Sequence, residues 1–190
     1  MHALKTLRPR TISLETPDYI VRTVEPADAT REWRDWLTDP DAARNLNARA
    51  ERLSEEALRD YIASFNRTTA HLLGIFEKAS GRLVGIRAVY VDRKRGEFLV
   101  NVLIGNPQAR NKGARTQSRT AVYRYFFEDL DLHTARATVL AVNEAVLAGM
   151  AKRGWVHDRT DYKPAANGQG FAEVRQFRLT RDAWRRRAAP

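Results

Sequence analysis

Hydrophobic residues near the start of the chain change from a strand-like to a helical spacing. Residues 19–23 predict a short strand, and a helical stretch begins at Pro26. Apolar side chains then recur at spacings of three and four: Trp33, Trp36 and Leu37. The Asp39–Pro40 dipeptide is expected to break this helix.

A second helix is predicted to begin after Ser54, whose hydroxyl can accept hydrogen bonds from free backbone N–H groups. Leu53 and Leu58 flank this cap at the positions of a hydrophobic staple. One apolar stripe follows, made of Leu58, Tyr61, Ile62 and Phe65. These features favour a helix packed against a core.

The middle of the chain is rich in Val, Ile, Leu, Tyr and Phe, as β-strands are. Three such runs cover residues 71–77, 82–92 and 97–104, and turn-forming residues at 80–81 and 92–96 separate them. This arrangement predicts an antiparallel meander of three strands.

The rest of the chain alternates helices and strands, which gives the predicted order β-α-α-β-β-β-α-β-α-β-β. A helix follows the meander, then a strand over residues 135–142, then a helix that Asn143 can cap. Two closing strands are predicted at residues 155–159 and 171–179. Because a helix crosses between residues 97–104 and residues 135–142, those two strands are expected to be parallel.

Composition fits one folded domain over residues 1–190, with an extension over about residues 1–18 and a basic tail over about residues 180–190. Hydrophobic residues make up 43% of the chain, enough for a core. No apolar run could cross a membrane and no secretory signal is visible, so a cytoplasmic location is expected. Cysteine is absent, which excludes disulfides and thiolate nucleophiles, and the four His show no metal-ligand spacing.

The net charge of +10 is concentrated in two segments. Residues 93–119 carry seven basic residues and one acidic residue, or +6, and residues 175–190 carry six and one, or +5. The rest of the chain therefore sums to −1. Such a local excess attracts polyanions such as nucleotide phosphates or RNA, and solubility is the alternative explanation for the arginine-rich tail.

One segment, residues 102–115, combines the features of a phosphate site. An apolar strand runs into a short basic loop, and a helix is expected to begin at or near Gly113. The first N–H groups of a helix lack internal partners and carry partial positive charge, so a diphosphate can accept hydrogen bonds from them. Gly113 leaves room for the phosphate, and Arg110, Lys112 and Arg115 add charge. The alternative is a surface turn with solvated basic side chains.

Residues 110–115 (Arg-Asn-Lys-Gly-Ala-Arg) resemble the pyrophosphate loop of the GNAT acyltransferase superfamily, whose pattern is Arg/Gln-x-x-Gly-x-Gly/Ala. The strand leading to Asn143 and the Lys-Arg-Gly-Trp sequence at residues 152–155 are similar to a second family signature. Residues 19–29 resemble the family's first strand and turn. Residues 177–184 resemble the last strand of the subgroup that acetylates the N-termini of ribosomal proteins.

The resemblance implies the GNAT fold, which is an α+β (α/β/α) arrangement. Its mixed, mostly antiparallel twisted sheet has a splayed parallel pair at the centre and helices on both sides. The resemblance also implies acetyl-CoA, or another acyl-CoA, as cofactor and a primary amine of a small molecule or peptide as acceptor. The cofactor-binding positions carried over are Leu103, Ile104, Gly105, Arg110, Asn111, Lys112, Gly113, Ala114, Arg115 and Asn143.

The sequence departs from the family pattern at three positions. Arg115 replaces the last small residue of the loop, and Met150 stands where the family has a Tyr or Ser that protonates the leaving thiolate. Val100 stands where the subgroup often has a Glu that acts as base. A missing acid or base costs about 10²–10⁴ in rate where it acts. Glu97, on the same strand, is the candidate base and Asn143 the second catalytic candidate, while a solvated hairpin Glu is the alternative.

Three functions stay open at this point. The first is an acyl-CoA-dependent N-acyltransferase. The second is a GNAT-fold enzyme that uses or modifies aminoacyl-tRNA, which the basic tail and the altered loop favour and which predicts salt-dependent RNA binding. The third is a module that binds CoA without catalysis, which Met150 and Val100 favour. A homodimer is also left open.

Overall fold

The computed structural model describes residues 8–188 and begins with a strand that the hydrophobic pattern did not predict. β1 (Ser13–Glu15) pairs antiparallel with β2 (Tyr19–Thr23), which is the predicted first strand. The predicted N-terminal extension, about residues 1–18, therefore contributes to the sheet, and its residues 1–7 lie outside the described residues. A strand of three residues is too short to show an alternating pattern.

The helical stretch predicted after Pro26 is divided into short segments. Pro26–Asp28 forms a single 3-10 turn, α1 spans Arg31–Asp35 and α2 spans Pro40–Asn45. The predicted break at Asp39–Pro40 is confirmed, because Asp39 is extended with φ −71° and ψ 113°. Pro40 then opens α2, a position where its missing N–H is not needed.

The next helix, α3 (Glu55–Ala63), is capped at its start as the sequence predicted. The Ser54 Oγ accepts a hydrogen bond of 3.0 Å from the Ala57 N–H. Leu58 and Ile62, from the predicted apolar stripe, are buried.

Eight strands within the described chain form one sheet in the order β1-β2-β3-β4-β5-β6-β8-β7. The remaining elements are β3 (Ala70–Glu77), β4 (Leu83–Asp92), β5 (Glu97–Ile104), α4 (Ala114–Arg124), β6 (Thr134–Leu140), α5 (Glu144–Met150), β7 (Val156–Pro164), β8 (Phe171–Thr180) and α6 (Arg181–Ala188). β5 and β6 are parallel, and every other neighbouring pair is antiparallel. The predicted meander, parallel pair and closing strands are confirmed, and β7 and β8 form a hairpin.

Helices cover both faces of the sheet. On one face, α1 and α3 enclose a core of Trp33, Trp36, Leu58, Ile62 and Leu72. On the other face, α4 and α5 enclose a second core that includes Phe98, Val122, Phe126, Phe127 and Trp155. The predicted α/β/α arrangement with a mixed, mostly antiparallel sheet is therefore confirmed. None of the helices found over residues 8–188 is both long and apolar enough to cross a membrane.

The basic segment at the end of the chain, predicted as a tail over about residues 180–190, is a helix as far as the structure describes it. Trp184 on α6 packs against Phe127, with ring centroids 5.5 Å apart. Arg185 forms a salt bridge with Glu128. α6 is thus part of the folded unit, and residues 189–190 lie outside the described residues.

Candidate functional site

The two parallel strands part after a short zone of pairing, and a cavity of about 580 Å³ opens between them. β5 and β6 pair only at Glu97 with Thr134, Phe98 with Ala135 and Leu99 with Arg136. Past Leu99 the strands diverge, and residues 100–104 of β5 and 137–140 of β6 line the gap together with α4 and α5. The gap, called the donor cleft below, is the splayed pair expected from the sequence.

The open edge of β5 presents main-chain groups to the donor cleft. The Gly105 N–H donates to the Val84 oxygen at 3.1 Å, so Gly105 belongs to the residues whose main chain faces β4. In an antiparallel pair this orientation alternates along the strand. The N–H and C=O groups of Val102 and Ile104 therefore point away from β4, toward the donor cleft. Of the predicted positions Leu103, Ile104 and Gly105, the structure turns only the main chain of Ile104 into the gap.

The loop after β5 leads into α4 with unpaired N–H groups. Asn111 and Gly113 have positive φ angles of 69° and 82°, and Gly113 is the N-cap of α4 without any side-chain cap. The N–H groups of Gly113, Ala114 and Arg115 have no hydrogen-bond partner among residues 8–188. Together with the positive end of the helix dipole, they form a site suited to an anion. The predicted start of this helix at Gly113 is confirmed.

Side chains elsewhere in the protein hold this loop in place. The Arg110 Nη2 donates to the Asp39 Oδ2 at 2.9 Å, and the Tyr19 hydroxyl donates to the main-chain oxygen of Lys112 at 2.9 Å. Gln117 on α4 accepts a hydrogen bond from the Asp18 N–H at 3.0 Å. Arg110, predicted as a phosphate ligand, is therefore engaged with a carboxylate, and Lys112 is exposed.

Besides Arg110, which pairs with Asp39, four arginines line the donor cleft: Arg87, Arg115, Arg119 and Arg153. In the described part of the chain no carboxylate lies within ion-pair distance of any of them. Burial lowers the pKa of Arg115 and of Arg153, and repulsion from neighbouring arginines adds to this effect. The cleft therefore carries positive charge that the protein itself does not neutralise, and an anionic ligand would neutralise it.

Arg87 is buried at the base of this cluster, on β4. Its side chain is 2% exposed, and burial lowers its pKa to about 10. The Nε donates to the Ser118 Oγ at 2.9 Å and the Nη2 donates to the Arg115 main-chain oxygen at 2.7 Å. The sequence did not indicate this residue, because an arginine in an apolar strand is normally expected to point to solvent. Only the packing of α4 against β4 shows that Arg87 is buried.

Asn143 lies at the rim of the donor cleft, where it begins α5. Its main-chain N–H donates to the Leu140 oxygen at 2.9 Å, and its Oδ1 accepts a longer hydrogen bond of 3.4 Å from the Val146 N–H. The predicted cap is confirmed. The structure thus brings Asn143 to the same cavity as Ile104 and Arg115, both also predicted as site residues.

Tyr123 is the aromatic residue of α4 that lines the donor cleft. It is 5% exposed and packs edge-on against Phe98 and Trp155, with ring centroids 5.8 Å and 6.1 Å away. Its hydroxyl has no hydrogen-bond partner in the described part of the chain. Burial raises the pKa of Tyr123, while Arg87, Arg119 and Arg153 act to lower it.

The sequence carried a signal for this side of α4 that was not used. Arg115, Arg119 and Tyr123 recur at every fourth residue, so they lie on one stripe of the helix. Ser118 and Val122, on the adjacent stripe, are buried in the core. A charged stripe that begins at a helix N-terminus with unpaired N–H groups is the pattern that could have indicated these cleft residues.

Comparison with known protein families decides the assignment of this fold and cleft. The family model described as "Acetyltransferase (GNAT) domain" matches residues 19–156. The chain belongs to the GNAT family. This confirms the family resemblance drawn from the loop at residues 110–115 and the signature around Asn143.

Solved GNAT structures share the fold over nearly their full length. An acetyltransferase (GNAT family) from Bacillus anthracis superposes with a TM-score of 0.72 at 18% identity, covering 90% of this chain and 99% of that one. The ribosomal-protein-S5-alanine acetyltransferase from Vibrio fischeri gives 0.73 at 16% identity, with 91% and 98% covered. Spermidine N-acetyltransferase from Vibrio cholerae, solved with CoA and spermine, gives 0.75 at 13% identity, with 89% and 99% covered. No curated protein matches the chain.

Two of the positions that depart from the GNAT pattern line the donor cleft as apolar side chains. Met150 is 4% exposed, and its Sδ lies 3.6 Å from the Arg153 Nη2, which also donates to the Val146 oxygen at 3.1 Å. Val100 is 7% exposed on β5. A guanidinium therefore approaches Met150, the side chain that the family resemblance aligned with the proton donor.

Glu97 lies away from the donor cleft, at the closed end of the strand pair. Its carboxylate binds Arg136 through two hydrogen bonds, of 3.1 Å from Nε and 2.8 Å from Nη2. Arg136 also forms a salt bridge of 2.7 Å with Asp158. Because Glu97 pairs opposite Thr134, before the strands part, the role of base expected for it from the sequence has no support in its position. Among residues 8–188, no group of three His, Cys, Asp or Glu side chains is arranged to hold a metal ion.

Proposed function

We propose that this protein transfers an acetyl group, or another short acyl group, from acyl-CoA to a primary amine while both reactants are bound. The observation that carries the proposal is the open main-chain edge of β5 beside the unpaired N–H groups of residues 113–115. Membership of the GNAT family supports acyl transfer from acyl-CoA.

The residues of the donor cleft fit CoA. The N–H groups of Gly113, Ala114 and Arg115 suit its diphosphate, and Arg119 and Arg153 add charge that no carboxylate offsets in the described chain. The main chain of Val102 and Ile104 can exchange hydrogen bonds with the amides of the pantetheine arm, as an added strand would. Asn143 lies at the rim beside it. Acyl-CoA, when bound, supplies an acyl group activated as a thioester.

The N–H groups of Val102 and Ile104 are the donors available to polarise the thioester carbonyl. Negative charge develops on that oxygen when an amine attacks, and a preorganised N–H stabilises it. One such donor contributes roughly 2.7–4 kcal/mol to transition-state stabilisation. Holding the amine and the thioester together supplies a further part of the rate.

Tyr123 is the side chain that we assign as proton donor to the leaving thiolate, in place of the family residue replaced by Met150. Its hydroxyl is unpaired in the described chain and its ring lines the cleft. Arg119 and Arg153 favour negative charge nearby, which helps both the phenol and the thiolate. Among the side chains that the structure describes, no Asp, Glu or His lines the donor cleft, so we propose that the amine reacts as the free base or loses its proton to water.

Calorimetric titration and a thiol-release assay test the proposal. We expect acetyl-CoA and desulfo-CoA to bind far more tightly than adenosine, which lacks the diphosphate. We also expect release of free CoA thiol from acetyl-CoA in the presence of primary amines. Absence of acetyl-CoA binding below millimolar concentration would overturn the proposal.

The aminoacyl-tRNA alternative draws less support from the charge distribution. Arginines of the basic C-terminal segment pair with carboxylates: Arg175 with Glu173, Arg178 with Asp158, Arg181 with Asp131 and Arg185 with Glu128. In the part of the chain that the structure describes, Arg87, Arg115, Arg119 and Arg153 of the donor cleft form no salt bridge. RNA binding that weakens steeply with salt would favour this alternative. Binding of acetyl-CoA without release of free thiol, whichever amine is added, would favour the module that binds CoA without catalysis.

A peptide N-terminus is the second candidate acceptor. The resemblance of residues 177–184 to the ribosomal-protein N-terminal subgroup and the shared fold with the Vibrio fischeri enzyme support it. Transfer to a short peptide with an N-terminal Ala or Ser tests this candidate.

A further inference from the structure

A second cavity lies on the opposite face of the sheet, between β4, β5 and the helices α1 and α3. Its volume is about 360 Å³, within the range of small-molecule sites. We call it the apolar chamber. The side chains that line it include Trp33, Trp36, Leu53, Ala57, Tyr61 and Ile86.

The apolar chamber adjoins the donor cleft. Asn101, Val102 and Leu103 of β5 and Leu46 after α2 line both cavities. The contact between them falls on the segment of β5 whose main chain faces the proposed thioester. A molecule held in the chamber can therefore extend one group toward the acyl carbon.

No charged side chain lines the apolar chamber in the described chain. Its polar groups are the exposed amide of Asn101, which makes no side-chain hydrogen bond in residues 8–188, the Tyr61 hydroxyl, and the buried, unpaired indole N–H of Trp36. Burial raises the pKa of Tyr61 to about 12, so Tyr61 supplies no negative charge at neutral pH. The donor cleft beside the chamber is cationic. A second ammonium on an acceptor would meet no carboxylate and would be repelled.

We propose that the acceptor is a small primary amine carried on an uncharged apolar body, aromatic or branched aliphatic, with that body in the apolar chamber. The inference rests on the proposed function. The rings of Trp33, Trp36 and Tyr61 supply aromatic walls, and Asn101 supplies one hydrogen-bonding group near the amine. Polyamines and peptides with charged side chains are disfavoured because no described carboxylate lines the chamber and the adjacent donor cleft is cationic.

Transfer rates for matched amines test the inference. Phenethylamine, 1,4-diaminobutane, spermidine and an Ala-Ala-Ala peptide are each assayed for thiol release with saturating acetyl-CoA. We expect kcat/KM for phenethylamine to exceed that of the other three by about tenfold or more, as apolar pockets discriminate. Equal or higher kcat/KM for a diamine, a polyamine or the peptide would overturn the inference.

Two variants and one control test whether the apolar part of the acceptor lies in the apolar chamber. Ala57→Phe fills the apolar chamber from an exposed position of α3, and it is expected to raise KM for phenethylamine about tenfold with acetyl-CoA affinity unchanged. Ala63→Phe, at the exposed end of the same helix and outside the chamber, is the matched control. Leu46→Glu, at a position 40% exposed, places a carboxylate at the mouth and is expected to shift preference toward the diamine.

The outcomes separate the inference from the proposed function. If acetyl-CoA does not bind, the proposed function fails. If acetyl-CoA binds and Ala57→Phe acts no differently from Ala63→Phe, the inference fails alone. If the reaction is too slow to assay, calorimetric titration of phenethylamine into the protein–CoA complex tests the inference instead. No detectable binding of phenethylamine, or an equal affinity for spermidine, would also overturn it.

Discussion

The Nη2 of Arg87 donates a hydrogen bond to the main-chain oxygen of Arg115 at 2.7 Å, which ties the centre of the sheet to the first turn of α4. The guanidinium is charged at neutral pH, since its pKa is lowered only to about 10, and it has no carboxylate partner in residues 8–188. A buried charge of this kind weakens the ligand-free fold and strengthens the attraction for an anion.

Replacing this charge separates binding from stability. Arg87→Met is expected to raise the Kd for acetyl-CoA about tenfold or more, or about 1.4 kcal/mol. The free energy of unfolding of the ligand-free protein is expected not to fall, because apolar replacement of a buried charge is neutral or stabilising by about 1–4 kcal/mol. Calorimetry and urea unfolding measure the two, with Arg124→Met, at an exposed position of α4, as control. Lower stability with unchanged affinity would contradict this account.

Gly113 combines a left-handed backbone with proximity to the proposed diphosphate. Gly113→Ala is expected to cost about 1–2 kcal/mol in stability at φ 82°, and its new Cβ would also lie 3.1 Å from the Gln117 Nε2. The methyl group intrudes on the anion site as well, so Kd for acetyl-CoA should rise. Gly81→Ala, at φ 69° in open space, carries a similar backbone cost and should leave that Kd unchanged. Equal Kd in both variants would count against the anion site.

Tyr123→Phe removes the proposed proton donor without changing the shape of the cleft. The value of kcat is expected to fall about 10²-fold or more, with Kd for acetyl-CoA unchanged. Only the neutral phenol donates a proton, so the wild-type rate should fall as pH rises through the pKa of Tyr123, which burial raises. This alkaline decline should disappear in the variant. A pH–rate profile of the same form in both proteins would exclude Tyr123 as the donor.

Gly105 permits the close packing of Trp36 on the end of β5. A Cβ at residue 105 would lie 1.8 Å from the Trp36 Cδ2, so the indole or the strand must move in Gly105→Ala. We expect a loss of about 1–3 kcal/mol in the free energy of unfolding, as for other overpacked cores. Because Trp36 also lines the apolar chamber, KM for the amine should rise. An unchanged urea midpoint would show that the contact is not as close as described.

The docking of the C-terminal helix should weaken in acid. The pKa of Glu128 is lowered by its hydrogen bond with Arg185, so the pair contributes stability above the ordinary pKa of the carboxyl and loses it as pH falls through the lowered value. Trp184 packs against Phe127 and reports the change by fluorescence. Glu128→Gln should shift the Trp184 fluorescence at neutral pH toward the acid value of the wild type, whereas Glu144→Gln, on α5, should not.

Most elements of the fold could be predicted because their signals are local. The meander shows as three apolar runs with turns between them, and the caps at Ser54 and Asn143 need only a few neighbouring residues. The helix predicted to begin at Pro26 was wrong in its continuity, because the apolar spacing of Trp33, Trp36 and Leu37 says nothing about the interruption between the 3-10 turn Pro26–Asp28 and α1.

The candidate site could be predicted only where a single segment makes it. Residues 110–115 contain their own helix start and basic side chains, so the loop was visible in the sequence. Arg87 and Ser118 are 31 positions apart, and Glu97 and Arg136 are 39 apart, so their hydrogen bonds depend on how the elements pack. Tyr123 was missed for the same reason, since its surroundings come from β4, α4 and the end of α5.

Where β5 parts from β6, main-chain atoms are proposed to hold the acyl donor, and side-chain atoms are proposed to select the acceptor. In the proposed mode of binding, the acyl carrier is held by the peptide groups of Val102 and Ile104, which every residue except proline provides in the same form, so replacement of their side chains would leave these contacts in place. Side chains on the opposite face can then vary freely to accommodate a new acceptor. A change of substrate in such a scaffold needs no redesign of how the acyl donor is held.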